Sequence, residues 1–135
     1  MSDSVFFDAT VLIYAISDSD PRAALAEHLL TAGGHISVQV LNEFAAVASR
    51  KLKMPWDEIA EALAAIRALC HTPAPLTVAI HERALEIAAS HRYNIYDALI
   101  LAAAIDAGCS TLYSEDMQDR QQIGPITIRN PFAAG

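Results

Sequence analysis

The stretch SVFFDATVLIYA, from Ser4 to Ala15, places one acidic residue, Asp8, between two apolar runs. The residues before Asp8 predict a short buried strand, and the run after it predicts a turn and a first helical segment. An ionised carboxylate beside so much apolar surface must be paired, solvated at an edge, or bound to a cation. The positions of the other acidic residues therefore help to decide which of these three environments Asp8 has.

The length and composition indicate one well-packed domain, predicted to span residues 1–135. Hydrophobic residues make up 53% of the chain and charged residues 19%, a balance that excludes a disordered chain. No apolar run approaches the ~20 residues that cross a bilayer, so no membrane partner is expected. Cys70 and Cys109 stand in apolar surroundings without a CxxC pair, which indicates reduced core residues of a cytoplasmic protein.

The formal net charge is −7, with 16 acidic residues against 9 Lys plus Arg. A protein that binds nucleic acid through a broad electrostatic footprint is normally basic. Either nucleic acid is not the partner, or the acidic residues are concentrated where cations neutralise them.

Predicted strands and helices alternate along the chain. The predicted strands are SVFF, HISV, CSTLYS and ITI, and HTPAPLTV allows at most a brief edge strand. The predicted helices are RAALAEHLLTA after an Asp20-Pro21 start, QVLNEFAAVASRKL, PWDEIAEALAAIRALC, AIHERALEIAASHR and YDALILAAAIDAG. This alternation predicts an α/β sandwich around a mainly parallel sheet, whose ligand sites lie at the carboxyl ends of the strands.

Four acidic residues from separate elements are predicted to meet at that edge. Asp8 directly follows the first strand, and Glu43 lies about one turn into the helix after HISV. Asp97 begins the apolar helix, and Asp116 follows CSTLYS. About eleven helical residues descend roughly 16 Å, and six strand residues climb back up to about 20 Å, so Asp97 and Asp116 return to the same level.

Clustered carboxylates raise one another's pKa unless a cation neutralises them. Mg²⁺ and Mn²⁺ prefer oxygen ligands, and two such ions can hold the attacking and leaving oxygens of a phosphodiester. Each acidic residue alone also has an ordinary role, as a helix cap, a solvated helix side chain, or part of a polar loop. The hypothesis of a metal site therefore depends on all four acidic residues meeting.

Five segments resemble, in chain order, the motifs of PIN-domain proteins, and most of all the VapC-type ribonuclease toxins of bacterial toxin–antitoxin pairs. They are FFDATVLIYA, LNEFAAVASRKL, IYDALILAAA, TLYSEDMQD and the closing IRNPF, which together cover residues from Val5 to Phe132. The resemblance implies a three-layer α/β/α sandwich with a central, mainly parallel sheet. It also implies an RNA endonuclease dependent on Mg²⁺ or Mn²⁺, homodimerisation, and inhibition by a small cognate antitoxin protein.

The resemblance assigns roles to the first three acidic residues. Asp8 and Asp97 match the metal-binding aspartates of the family, and Glu43 matches the acidic residue of its second motif. Thr10 stands where the family often has Asn, Ser or Thr, and this match implies that it orients Asp8 by a hydrogen bond.

The last motif departs from the family pattern. Asp116 matches the fourth acidic residue, and Ser114 would hold Asp116 or a water molecule. Glu115 and Asp119 crowd the same segment, and Asp119-Arg120 stands where His or Gly is expected after the acidic residue. Which of Glu115, Asp116 and Asp119 reaches a metal ion therefore stays open.

Several residues outside the acidic set are candidates for RNA contact. Arg50, Lys51 and Lys53 form a basic cluster that either grips the RNA backbone or favours the end of its helix. Four aromatic residues can stack bases, although packing is their more common role: Trp56, Tyr93, Tyr96 and Phe132. The Ala-rich helices offer faces for a second copy or an antitoxin, but core helices have the same composition.

Two other functions fit a cluster of acidic residues. Receiver-like signalling domains and haloacid-dehalogenase phosphatases use a lysine late in the chain, whereas the only lysines here are Lys51 and Lys53. A PIN-like domain that binds protein or RNA without cutting it is the remaining alternative.

Overall fold

The computed structural model describes residues 4–133. Within them the strands are β1 (Val5–Phe7), β2 (Thr111–Tyr113), β3 (Gln122–Ile123) and β4 (Ile126–Arg129). The helices are α1 (Ala9–Ala15), α2 (Ala23–Ala32), α3 (Val38–Arg50), α4 (Trp56–Leu69), α5 (Val78–His91) and α6 (Ile95–Asp106).

The sheet has the strand order β1-β2-β4-β3. β1 pairs with β2 and β2 with β4 in parallel, whereas β3 pairs antiparallel with β4. Helices flank this sheet: α1 contacts α2 and α3, and α6 packs against α5. The predicted fold class, an α/β/α sandwich around a mainly parallel sheet, is confirmed.

The predicted strand HISV was wrong in extent. His35 makes a single parallel bridge to Phe6, and Ser37 makes another to Ala74. The segment stops there because Ser37 caps α3, with its Oγ accepting from the Val40 amide at 3.3 Å. The approach to β1 is close enough that a Cβ on Gly34 would lie 2.5 Å from the Phe7 ring, so this position requires glycine.

The helix starts differ in detail from those predicted. Arg22, not Asp20, is the residue preceding α2, and it makes no side-chain capping bond. Asp20 instead accepts from the amide and guanidinium of Arg22, at 2.8 and 2.9 Å. Pro55 precedes α4 rather than opening it. The short strand β3 was not predicted, because two residues beside a turn carry no periodic signal.

The core lies between the helices and the sheet. Phe6 and Phe7 of β1 are fully buried, as are Ile100 and Leu101 of the apolar helix α6. Cys109 is buried and Cys70 half-buried; both are free thiols, and burial raises the pKa of each to about 11. Among the described residues, no helix combines the length and apolarity that crossing a membrane requires.

Candidate active site

Asp8 and Ser114 emerge side by side from adjacent parallel strands. Phe7 of β1 pairs in register with Tyr113 of β2, and the Asp8 amide donates to the Tyr113 carbonyl at 3.0 Å. The next residues, Asp8 and Ser114, therefore leave the sheet at the same level. The Ser114 hydroxyl donates to Asp8 Oδ2 at 2.6 Å, and the Ala9 amide donates to Asp8 Oδ1 at 2.7 Å.

The Asp8 carboxylate is only 2% exposed, so its charge is costly to maintain. Burial raises its pKa to about 7, and the negative charges of Glu43 and Asp97 add to this rise. The hydrogen bonds from Ser114 and Ala9 act in the opposite direction because they favour the charged form. Asp8 is therefore held near the balance between its protonated and ionised forms at neutral pH.

Glu43 and Asp97 are half-buried and are each oriented by an amide side chain. Gln39 Nε2 donates to Glu43 Oε2 at 3.0 Å. Asn94, the N-cap of α6, accepts from the Asp97 amide at 2.9 Å and donates from Nδ2 to Asp97 Oδ2 at 3.2 Å. Neither amide was predicted from the sequence, although Gln39 lies one helical turn before Glu43 and Asn94 stands at a helix start.

The pKa values of Glu43 and Asp97 indicate electrostatic repulsion between the acidic side chains. Burial raises the pKa of Glu43 most, and the charges of Asp97 and Asp116 raise it further. The pKa of Asp97 is likewise raised by burial first and then by Asp116. The structure thus brings the carboxylates of α3, α6 and the loop after β2 into one electrostatic cluster with Asp8.

The three acidic residues of the last motif have different surroundings. Glu115 accepts hydrogen bonds from the Tyr14 hydroxyl and, at 3.1 Å, from Arg22 Nη1. Asp119 Oδ1 accepts from the Asn130 amide at 2.8 Å. Asp116 is exposed, and both Asp116 and Glu115 line a cavity of about 380 Å³ together with Asp8, Glu43 and Lys51.

The hydrogen bond expected between Thr10 and Asp8 is not made. Both Asp8 oxygens already accept from Ala9 and Ser114, and Thr10 Oγ1 instead accepts from the Glu115 amide at 3.2 Å. Ser114, expected near Asp116, serves Asp8 and also accepts from the Met117 amide at 3.3 Å. Neither hydroxyl group therefore makes the hydrogen bond to an aspartate that the resemblance implied for it.

The basic residues Arg50, Lys51 and Lys53 do not act as one cluster beside the acidic residues. Lys51 lines the cavity that contains Asp8, and Arg50 lines a second cavity, of about 620 Å³, which contains Glu43 and Asp97. Lys53 is exposed and contributes to neither of these two cavities. Glu43 lines both cavities and so lies between them.

The chemistry of these side chains fits a hard divalent cation. The cluster offers carboxylate oxygens, and its raised pKa values show that neutralising charge would be favourable. Within residues 4–133, no three acidic, histidine or cysteine side chains already stand in an arrangement that holds an ion. An ion held by three of these side chains would therefore require them to move closer together, whereas Mg²⁺ is commonly held by one or two carboxylates with water completing its coordination.

A family model for the PIN domain matches residues 5–121 of this chain. The chain belongs to the PIN-domain family. The family predicted from the ordered acidic motifs is thereby confirmed. No curated protein sequence matches the chain.

Solved structures similar to this PIN domain include toxins of toxin–antitoxin systems. Mycobacterium tuberculosis VapC20, a Sarcin-Ricin loop cleaving toxin, is 25% identical, with a TM-score of 0.68 over 84% of this chain and 90% of its own. A toxin–antitoxin complex from Klebsiella pneumoniae is 19% identical, with a TM-score of 0.72 over 97% and 100%. VapBC2 from Rickettsia felis, bound to a promoter DNA fragment, is 17% identical, with a TM-score of 0.67 over 93% and 96%.

Proposed function

We propose that this PIN domain is a metal-dependent RNA endonuclease and the toxin of a toxin–antitoxin pair. The observation that carries the proposal is the cluster of Asp8, Glu43, Asp97 and Asp116, in which burial and, after it, neighbouring carboxylates raise three pKa values. The likeness to VapC20, a cleaving toxin, supports the same function.

The proposed reaction is hydrolysis of an RNA phosphodiester by water, without a covalent enzyme intermediate. Asp8 and Asp97 would hold the principal Mg²⁺ or Mn²⁺ ion, and Glu43 and Asp116 would complete the site or position a second ion. When bound, such an ion neutralises phosphate charge and lowers the pKa of a water molecule. Gln39, Asn94 and Ser114 keep the carboxylates oriented, which reduces the reorganisation that ion binding requires.

The proposed partners follow from the same comparisons. The Klebsiella pneumoniae structure is a toxin–antitoxin complex, which supports an antitoxin partner for this chain. Homodimerisation is proposed from the family resemblance alone. An antitoxin that inhibits cleavage is expected to reach the acidic cavities with an Arg or Lys side chain, or to cover their mouth.

One observation bears on the alternative of a PIN domain that binds without cutting: across residues 4–133 no three acidic, histidine or cysteine side chains lie close enough to hold one ion together. Cleavage of total RNA by the purified chain distinguishes the two functions. We expect cleavage with added Mg²⁺ or Mn²⁺, its loss with EDTA, and its return when the metal ion is restored in excess. Cleavage unaffected by EDTA would contradict the metal-dependent mechanism, and no cleavage with either ion would favour the binding module.

Ser114→Ala tests how much the metal site depends on the hydroxyl that holds Asp8. We expect Mn²⁺ affinity to fall about 10-fold or more, since Ser114 stabilises the ionised form and fixes the direction of Asp8 Oδ2. Calorimetric titration with Mn²⁺ measures the change. Ser110→Ala is the matched control, because Ser110 lies at the other end of β2 and donates to the Ser4 carbonyl. Equal affinity in Ser114→Ala and the wild type would contradict this role.

A further inference from the structure

The cavity of about 620 Å³ beside the acidic cluster combines catalytic carboxylates with groups of another kind. Glu43 and Asp97 form part of its lining, and the rest includes Asn42, Arg50 and Tyr96. Asn42, Ala46 and Arg50 recur every four residues along α3 and so lie on one face of that helix. Because the central residue of this face is only an alanine, space remains above it.

Three side chains of this lining have no partner in the part of the chain that the structure describes. Tyr96 is 61% exposed although its ring is large and apolar. Asn42 and Arg50 are also exposed. Among residues 4–133 no hydrogen bond, ion pair or ring contact engages any of the three side chains. By contrast, Gln39 and Asn94, which line the same cavity, are committed to holding the carboxylates.

The three free groups correspond to the three parts of a nucleotide. An exposed aromatic ring stacks on a base, an amide side chain donates to and accepts from a base edge, and a guanidinium binds phosphate. The cavity volume lies in the range typical of small-molecule sites. A base inside a duplex has both faces covered by its neighbours, so the Tyr96 ring can stack only on an unpaired, unstacked base.

The geometry points to a binding site for one unpaired base of the RNA substrate in this cavity. Tyr96 stacks on the base, Asn42 hydrogen-bonds its edge, and Arg50 contacts a phosphate of the same strand. This assignment rests on the proposed nuclease function. Asp97, a proposed ligand of the metal ion, directly follows Tyr96 and lines the same cavity. The bound base therefore belongs to a nucleotide beside the bond that is cut, and the cavity contributes to target choice.

Binding of single-stranded RNA tests the site without requiring turnover. The probes are four fluorescein-labelled homopolymers, oligo-A, oligo-C, oligo-G and oligo-U, with phosphorothioate linkages that resist hydrolysis. Fluorescence anisotropy in the presence of Mn²⁺ gives the Kd of the full chain for each. The variants are Tyr96→Ala, Tyr96→Phe, Asn42→Ala and Ala46→Leu, with Ala64→Leu on an exposed position of α4 as the matched control for Ala46→Leu.

Tyr96→Ala is expected to raise the Kd for the preferred homopolymer by about 5- to 150-fold, the range found when one stacked base loses its aromatic partner. Tyr96→Phe keeps the ring and should remain within about 3-fold of the wild type. Ala46→Leu fills the space above α3 and should weaken binding, whereas Ala64→Leu should not. Asn42→Ala should reduce the difference in Kd between the four homopolymers, since it removes the contact to the base edge.

Mn²⁺ calorimetry and cleavage of unmodified RNA by the same variants separate this site from the proposed function. Support requires Tyr96→Ala to bind Mn²⁺ as the wild type does and to raise KM more than it lowers kcat. Unchanged RNA binding and KM in Tyr96→Ala would overturn the base site while leaving the nuclease intact. Loss of Mn²⁺ binding in Tyr96→Ala would also overturn it, because the ring would then be supporting the carboxylates. Tyr96-dependent RNA binding without any cleavage would retain the base site and refute the nuclease.

Discussion

Asp97→Asn and Asp8→Asn are each expected to lower the rate of RNA cleavage by about 10³-fold or more. Asparagine keeps the shape of the side chain but removes the negative charge and one oxygen ligand of the proposed ion. The Asn94 cap on α6 is retained in Asp97→Asn, because it is made to the backbone amide of residue 97. Initial rates on the RNA that the wild type cleaves, at matched protein concentration and purity, measure the loss.

The matched control for this loss is Asp106→Asn. Asp106 is the last residue of the same helix, α6, and it is exposed. The same substitution there should leave cleavage within about 2-fold of the wild type, since exposed charges far from a site act on it weakly. Retained cleavage in both Asp8→Asn and Asp97→Asn would contradict the assignment of these two carboxylates.

Asp8→Asn is also expected to stabilise the protein when no metal is present. Burial raises the pKa of Asp8 from 3.8 to about 7, so the folded state binds the proton more tightly than the unfolded chain does. The contribution of Asp8 to the free energy of unfolding is therefore largest below about pH 4, and it falls by about 4 kcal/mol as the pH rises through 7. Asparagine has no charge to bury, but its Nδ2 cannot accept the hydrogen bond that Ser114 donates to Asp8 Oδ2, so the variant should exceed the wild type by less than about 4 kcal/mol at pH 8.

Urea unfolding in EDTA at pH 5 and pH 8 measures this difference in the free energy of unfolding. The difference in favour of Asp8→Asn should be about 3 kcal/mol smaller at pH 5, where the wild-type carboxyl group is mostly protonated in the folded protein. Added Mn²⁺ should stabilise the wild type and not the variant, because a ligand stabilises only a state that binds it. A difference in the free energy of unfolding that does not change between pH 5 and pH 8 would contradict the raised pKa of Asp8.

The elements and the position of the acidic edge could be predicted because they depend on rules that act over whole segments. Alternation of strands and helices indicated a mainly parallel sheet, and the parallel sheet placed Asp8 and the residues after β2 at one edge. The electrostatic coupling of Asp97 with Asp116 agrees with the estimate that both return to the same level. Neither the prediction of the parallel sheet nor the estimate for Asp97 and Asp116 required knowledge of side-chain orientation.

The hydrogen bonds within the site could not be predicted, because they depend on register and side-chain direction. Ser114 reaches Asp8 only because Phe7 pairs with Tyr113, and a shift of β2 by one residue would turn the Ser114 side chain to the opposite face. The hydrogen bonds of Glu115 could not be predicted from the sequence either. Its partners Tyr14 and Arg22 come from α1 and the start of α2, about a hundred residues earlier in the chain.

The contacts of Glu115 bear directly on which acidic residue of the last motif serves the site. The Arg22 guanidinium lies 4.0 Å above the Tyr14 ring and also pairs with Asp20, so Glu115 joins a network of its own. The pKa of Tyr14 is raised to about 12 by burial and by Glu115, which keeps its hydroxyl a hydrogen-bond donor. Glu115 lines the same cavity as Asp116, but both of its carboxylate oxygens already accept hydrogen bonds, and Asp119 binds the Asn130 backbone amide. Because the charge of Asp116 raises the pKa values of Glu43 and Asp97, Asp116 is the proposed fourth acidic residue of the site.

Calorimetric titration of Mn²⁺ into the wild type, Asp8→Asn, Asp97→Asn and Asp106→Asn tests the central claim most directly, because it requires no knowledge of the RNA target. We predict that the wild type and Asp106→Asn bind Mn²⁺ with similar affinity, and that binding is lost in both Asp8→Asn and Asp97→Asn. Equal binding by all four proteins, or no binding by the wild type up to millimolar Mn²⁺, would contradict a metal site at the acidic edge of the sheet.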